Sequence, residues 1–238
     1  MKKRFIATAT LAALPMLCGG AAIAQDGPLS ANVAIVSDYA FRGISQTDQR
    51  PALQGGFDYA HDSGVYAGLW ASNVSWLHDL GAKKSSLEID VYAGYAGEIG
   101  EIGYDVGLLQ YYYPGSYGGQ YRAEGLKKPH TLEGYAGVSW QFVSFKWSHA
   151  FTNLFGAPKS RGSQYYDLTL AYPVMDGLTL DGHVGYQKIR RGDDYTDWKL
   201  GLTKRYAGFD FGLHYVDTDI KNESLADSRF IVSVAKTF

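Results

Sequence analysis

Cysteine is nearly absent from this 238-residue chain, which holds one, Cys18. That thiol lies in an N-terminal segment expected to be removed. The mature protein therefore has no disulfide to use, and its stability must come from pairing and packing. Long apolar runs are also lacking. Outside the same N-terminal segment nothing approaches the ~20 residues of a membrane-crossing helix, so any span must be built of strands. Nor is there an excess of positive charge. The chain has 22 basic and 24 acidic residues, a formal net charge of −2. Loss of Lys2, Lys3 and Arg4 with the leader leaves 19 against 24, or −5. That balance argues against a nucleic-acid surface, which would be basic. Proline is sparse and, in the expected mature chain, peripheral: Pro28, Pro51, Pro114, Pro129, Pro158 and Pro173 fall at segment ends or in loops, where no ladder donor is lost.

The N-terminus reads as a secretory leader. Lys2, Lys3 and Arg4 precede an apolar core from Phe5 to Leu17, and Ala22-Ile23-Ala24 forms a small-residue cleavage site. Polar Gln25-Asp26-Gly27-Pro28 follows too soon for a membrane anchor, and Leu17 before Cys18 is not the small residue of a lipidation site. The expected organisation is a leader over residues 1–24 and one domain over 25–238.

What the sequence has in abundance is glycine, 29 residues, and tyrosine, 19. Both sit in short segments whose apolar residues alternate with polar ones, the period of a strand with two different faces. The last, Arg229 to Phe238, sets Phe230, Val232, Val234 and Phe238 on one face, with Lys236 able to snorkel, and Arg229, Ile231 and Ser233 on the other. That apolar face, ending in Phe, resembles the closing strand and assembly signal of bacterial outer-membrane barrels. About twelve such segments succeed one another, an even number as these barrels require.

The first segment places Val33, Ile35, Tyr39 and Phe41 outward, with Asn32, Asp38 and Arg42 inward. The segment Val65 to Val74 is strand-like with either face free to point outward. The connections alternate. His61 to Gly64, Gly97 to Glu101, Gln141 to Val143, Pro173 to Gly177 and Arg205 to Gly208 are tight. Gly43 to Arg50, Ser75 to Ser86, Pro114 to Pro129, Thr152 to Ser163, Lys188 to Asp194 and Thr218 to Ser228 are longer and polar. Short turns on one side and long loops on the other are an outer-membrane signature, with the short side periplasmic. Outward aromatics (Phe41, Tyr59, Tyr95, Tyr104, Trp140, Phe151, Tyr166, Tyr172, Tyr186, Tyr215 and Phe230) cluster toward segment ends, as two interfacial girdles require. The Tyr-Ala-Gly triplets at Tyr66, Tyr92, Tyr135 and Tyr206 have no fixed period and read as strand composition. The fold class is therefore all-β: a single transmembrane antiparallel up-and-down barrel in the bacterial outer membrane.

The inward faces name the candidate pore lining. Its acids are Asp38, Asp58, Glu88, Asp90, Asp105, Glu133, Asp167, Asp181, Asp197 and Asp210; against them stand Arg42, Lys146, Lys199 and Arg229, with His183 and His214. Fixed negative charge in a narrow lumen favours cations. The alternative is a plugged interior in which these groups pair among themselves. Asp38 and Arg42 share a face and can pair locally, as can Asp181 and His183.

The stretch Ser37-Asp38-Tyr39-Ala40-Phe41-Arg42-Gly43-Ile44-Ser45-Gln46-Thr47 resembles the TorF family of porins from proteobacteria. The resemblance continues through residues 51–59, 64–68 and 72–76 and returns at Lys236-Thr237-Phe238. It implies an outer-membrane barrel for passive diffusion and carries no catalytic residue. The partners expected are outer-membrane lipids and lipopolysaccharide, the barrel-assembly machinery, periplasmic chaperones and small solutes, with no cofactor and no metal. Residues for two other classes are present in the sequence. A phospholipase-like barrel enzyme needs a converging serine and histidine, yet Ser148 and His149 are adjacent and point to opposite faces. An adhesion role could be read into Arg191-Gly192-Asp193, which is also ordinary turn chemistry.

Overall fold

The computed structural model describes residues 27–238, so the leader expected over 1–24 lies outside the described residues. The chain runs through β1 (Leu29–Val36), β2 (Ala40–Phe41), β3 (Ile44–Ser45), β4 (Ala52–Ala60), β5 (Val65–Asn73), α1 (Trp76–Asp79), β6 (Leu87–Ile99) and β7 (Ile102–Tyr112). It continues through α2 (Gln120–Ala123), β8 (Thr131–Trp140), β9 (Val143–Ala150), β10 (Gln164–Met175), β11 (Leu178–Lys188), β12 (Tyr195–Tyr206), β13 (Phe209–Thr218) and β14 (Arg229–Thr237). Twelve of these strands close into one antiparallel barrel, each beside its sequence neighbour, while β2 and β3 form a separate two-stranded hairpin. No described helix is long and apolar enough to cross a membrane.

Closure leaves no free edge, which a barrel in hydrocarbon cannot tolerate. The seam joins β1 to β14 with Ile35 opposite Val234 and Asn32 opposite Thr237. Ala31 and Phe238 exchange both backbone bonds, at 2.8 and 3.2 Å. The polarity is inverted relative to a soluble sandwich. Phe57 and Phe230 on the outer wall are each 68% exposed, whereas Asp197 and His214 inside are 0% exposed. Val65, Leu69 and Asn73 of β5 point outward and Tyr66, Trp70 and Ser72 inward.

Tight turns join β4 to β5, β6 to β7, β8 to β9, β10 to β11 and β12 to β13 at one end. All the long connections gather at the other. Two turns are tighter than the sequence suggests: β6 runs through Gly97 to Ile99, and β10 runs through Pro173 to Met175. Pro173 is tolerated because β9 has ended by then, and the register shifts between Pro173 and Met175. Two outward aromatic rings follow. Tyr95–Tyr104 and Phe142–Tyr172 lie toward the short-turn end, and Tyr166–Tyr186 and Tyr215–Phe230 toward the long-loop end. The Lys236 ammonium sits over the Phe209 and Phe238 rings at 5.1 and 4.8 Å.

The first alternating segment departs from its reading. β1 stops at Val36, and Ser37 turns the chain: its N–H donates to the Val232 carbonyl at 2.8 Å, and its Oγ accepts from the Val232 N–H at 2.9 Å. Tyr39 is therefore 1% exposed and Phe41 is packed inside, not set in an outer girdle. Tyr-Ala-Gly triplets also gain a purpose. Tyr66 and Gly68 on β5 face Gly94 and Tyr92 on β6. A Cβ on Gly68 would lie 2.4 Å from the Tyr92 ring, and one on Gly94 would lie 2.4 Å from the Tyr66 hydroxyl. Each inward tyrosine lies flat over the glycine of the neighbouring strand, and Tyr135 does the same over Gly107.

Candidate functional site

The long-loop mouth is filled by the β2–β3 hairpin. Its two-residue turn is Arg42-Gly43, with φ of 48° and 81°, the left-handed pair of a type I′ hairpin. Glycine is required twice over at 43. Besides its positive φ, an added Cβ would meet Thr218 Cγ2 at 2.4 Å on β13 and Asp197 Cβ at 2.7 Å on β12. The hairpin base is fixed by Asp38, whose carboxylate accepts from Ser45 Oγ at 2.5 Å, Thr47 Oγ1 at 3.0 Å and Arg229 Nε at 2.5 Å. Its flanks are tied to other loops: Ser75 N–H donates to Gln46 O at 2.8 Å, and Gln49 Nε2 donates to Ser224 O at 2.7 Å.

From this base the tip crosses the lumen. Arg42 donates to Glu133 on β8 and to Gln187 on β11, both at 2.7 Å. Its guanidinium lies 4.3 Å above the Tyr165 ring of β10. Burial opposes the Arg42 charge, and Glu133 more than restores it, so its pKa stays above the ordinary arginine value. Tyr39 donates to Glu88 at 3.1 Å and packs edge-on against Trp70. Phe41 meets Tyr111 at 5.6 Å and Phe155, from the loop before β10, at 5.5 Å. Burial, reinforced by the charges of Glu88 and Asp90, holds the Tyr39 hydroxyl neutral well above its usual range.

Beside the tip is a cavity of about 80 Å³, lined by Phe41, Arg42, Asp90, Lys146, Asp167, His183 and Lys199 among others. Asp90 is 1% exposed, and neither of its carboxylate oxygens has a hydrogen-bond partner. The remaining candidate lining residues sit in pairs around the wall. Tyr92 donates to Asp58, and Tyr66 donates to Asp105 at 2.5 Å. Arg205, expected in a turn, is inward near the end of β12 and pairs with Asp210 at 3.1 Å. Two expected pairings are replaced. Asp38 pairs with Arg229 and Arg42 with Glu133, because the turn at Ser37 carries Arg42 across the barrel. His183 lies 3.4 Å from Asp197 and 3.7 Å from Asp167, while Asp181 faces His214 at 3.4 Å. His183 meets its partners diagonally on the neighbouring strands β10 and β12, and His214 reaches Asp181 from β13 over Gly201 of β12.

The interior therefore holds all the anticipated acids against Arg42, Lys146, Lys199, Arg205 and Arg229, an acidic lumen bridged by one arginine. Several contributors escaped the sequence reading: Tyr39 and Phe41 of the hairpin, and the inward Tyr66, Tyr92, Tyr135 and Tyr165. The signals for them were Arg42-Gly43 as a two-residue turn and the tyrosine–glycine spacing. Among the described residues no group of three or more His, Cys, Asp or Glu could hold a metal ion.

A family model described as a bacterial protein of unknown function (Gcw_chp) matches residues 21–238. No match is found among curated proteins. Solved structures share the fold at low identity. A structure titled KdgM porin aligns with a TM-score of 0.59 at 9% identity, covering 88% of this chain and 99% of that one. The KdgM porin in complex with disordered oligogalacturonate gives 0.54 at 12% identity, with 88% and 98% coverage. The NanC porin in a rhombohedral crystal form gives 0.51 at 11% identity, again with 88% and 98%. The fold is that of porin barrels.

Proposed function

The chain belongs to the Gcw_chp family of bacterial proteins, and we propose that its barrel is an outer-membrane channel for passive diffusion of small hydrophilic solutes or ions, with a mild preference for cations. One observation carries this reading: a closed barrel with a polar, carboxylate-rich interior is narrowed by its own inward hairpin. Such a hairpin limits the size of what passes without requiring chemistry. The carboxylates raise the local cation concentration and repel anions. Asp90 faces the cavity beside Arg42 with neither carboxylate oxygen hydrogen-bonded, which leaves it available to a cation that enters there.

The polyanionic solute named with one KdgM structure is not carried over. Ten inward carboxylates against five inward cations disfavour an acidic sugar chain. A catalytic role has no support in the wall either, since Ser148 points inward, 5% exposed, and His149 outward. A second reading, a barrel closed by its hairpin, is favoured by the fit of Arg42 between β8 and β11.

The two readings separate in a planar bilayer. A channel gives steps of current, and under a potassium chloride gradient its zero-current potential has the sign of potassium permeation. Chloride selectivity overturns the charge argument. Silence of the intact protein, with current appearing only when residues 38–50 are deleted, supports the closed barrel.

A further inference from the structure

The outer wall and the long-loop end carry two features that the channel does not use, and both occupy the same sector. The first is a collar of exposed bases. Lys127 and Lys128 precede β8, Lys159 and Arg161 precede β10, and Arg190 and Arg191 follow β11. Hydrogen bonds hold these loops together: Lys127 N–H donates to Gly156 O at 2.9 Å, Arg190 N–H to Ser163 Oγ at 3.0 Å, and Arg190 Nη1 to Arg161 O at 3.3 Å. Against six bases this sector offers Glu124, Asp193 and Asp194. Asp194 is engaged by the Tyr186 hydroxyl and the Ile189 N–H. Among the described residues, none of the six bases forms an ion pair.

The second feature lies directly beneath, on the outward faces of β7, β8 and β9. An apolar groove is lined by Leu108, Gly134, Trp147, His149 and Phe151. Gly134 makes its floor. A Cβ there would meet the Phe151 ring at 2.6 Å, so the ring lies across β8 only because the side chain is missing. His149, between the Trp147 and Phe151 rings at 5.8 and 5.3 Å, is the one outward histidine on a described strand. It supplies a polar contact level with Gly134, between the two rings. An apolar channel capped by unpaired cations is complementary to a lipid with an anionic headgroup, and to neither a neutral lipid nor a soluble anion.

We propose that this sector is a binding site for a phosphorylated glycolipid of the outer leaflet, with one acyl chain in the groove and its phosphates on the collar. The proposal rests on the reading that the long loops face the cell exterior. The test titrates the refolded mature chain in detergent with diphosphoryl lipid A, its dephosphorylated form, phosphatidylethanolamine, and the phosphorylated disaccharide without acyl chains, detecting binding by native mass spectrometry. Diphosphoryl lipid A is expected to bind best. The variant K127E/K128E/R161E should weaken it by about tenfold or more, as removing the phosphates does. Phe151→Ala should weaken it through the groove, and thermal unfolding shows whether each variant has folded. Equal binding of phosphatidylethanolamine, equal binding of the bare disaccharide, or indifference to the folded triple variant overturns the site. Bilayer recordings on the same preparations keep the two ideas apart. A silent barrel that still discriminates the lipids sinks only the channel, and a conducting one that does not discriminate sinks only the lipid site.

Discussion

Arg42 is the residue on which the interior turns. Its side chain is 7% exposed and its partner Glu133 3%, so Arg42→Ala leaves a buried carboxylate without its cation, a loss of about 3–5 kcal/mol for such a pair. A lower urea midpoint and a larger single-channel conductance are expected together, because the hairpin loses its far anchor. Gly43→Ala tests the same docking without touching charge. Alanine at a positive φ destabilises by more than about 1 kcal/mol, and its methyl would also press on Thr218 and Asp197. Conductance should rise as for Arg42→Ala, with ion selectivity unchanged. Asp90→Asn should do the reverse, leaving pore size alone while moving the zero-current potential toward zero. If Asp90→Asn leaves that potential where it was, Asp90 does not contribute to the field at the constriction.

The strands carry a different kind of constraint, because each presents an exposed apolar face on one side and a filled lumen on the other. Leu200, at the middle of β12 and 57% exposed, faces outward between Gly182 and Tyr215. Leu200→Arg should cost about 2–4 kcal/mol near the bilayer midplane, visible as reduced folded yield in vesicles. Strand facing was legible in the sequence because period two is a local property. Even the ambiguous β5 is settled by Trp70, which sits inward beside Asp90. The hairpin was not legible, for an equally local reason. Tyr39 and Phe41 keep the parity of Val33 and Ile35, so the alternation resumes after Ser37 and hides the true end of β1 at Val36. The Arg42-Gly43 pair marks a turn, but its inward direction is set by the partners waiting across the lumen, Glu133 and Gln187. Their position depends on closure of the whole sheet.

At the scale of the molecule, the even strand number puts both ends of the described chain at the short-turn rim. With that rim periplasmic, a protease added to intact cells should cut within Pro114 to Pro129 and spare Pro173 to Gly177; the opposite pattern inverts the topology. Cation preference should fade as salt rises, since screening shortens the reach of the lumen carboxylates to about 3 Å at 1 M. Loop sorting was readable because it needs only lengths. Which carboxylate meets which cation was not, since Asp38–Arg229 and Arg42–Glu133 join residues far apart in the chain, the first at the closing seam and the second across the lumen.

The Asp38–Arg229 contact has a kinetic consequence. Asp38 follows the first barrel strand and Arg229 begins the last, so the contact cannot exist until the seam between β1 and β14 has zipped shut. Contacts of such sequence separation form late. The hairpin therefore secures its base only on a finished ring, and an incomplete barrel would leave its lumen unguarded. In a refolding time course, protection of residues 38–50 from hydrogen exchange should trail that of β6 to β12, which makes the constriction its own timestamp for completed assembly.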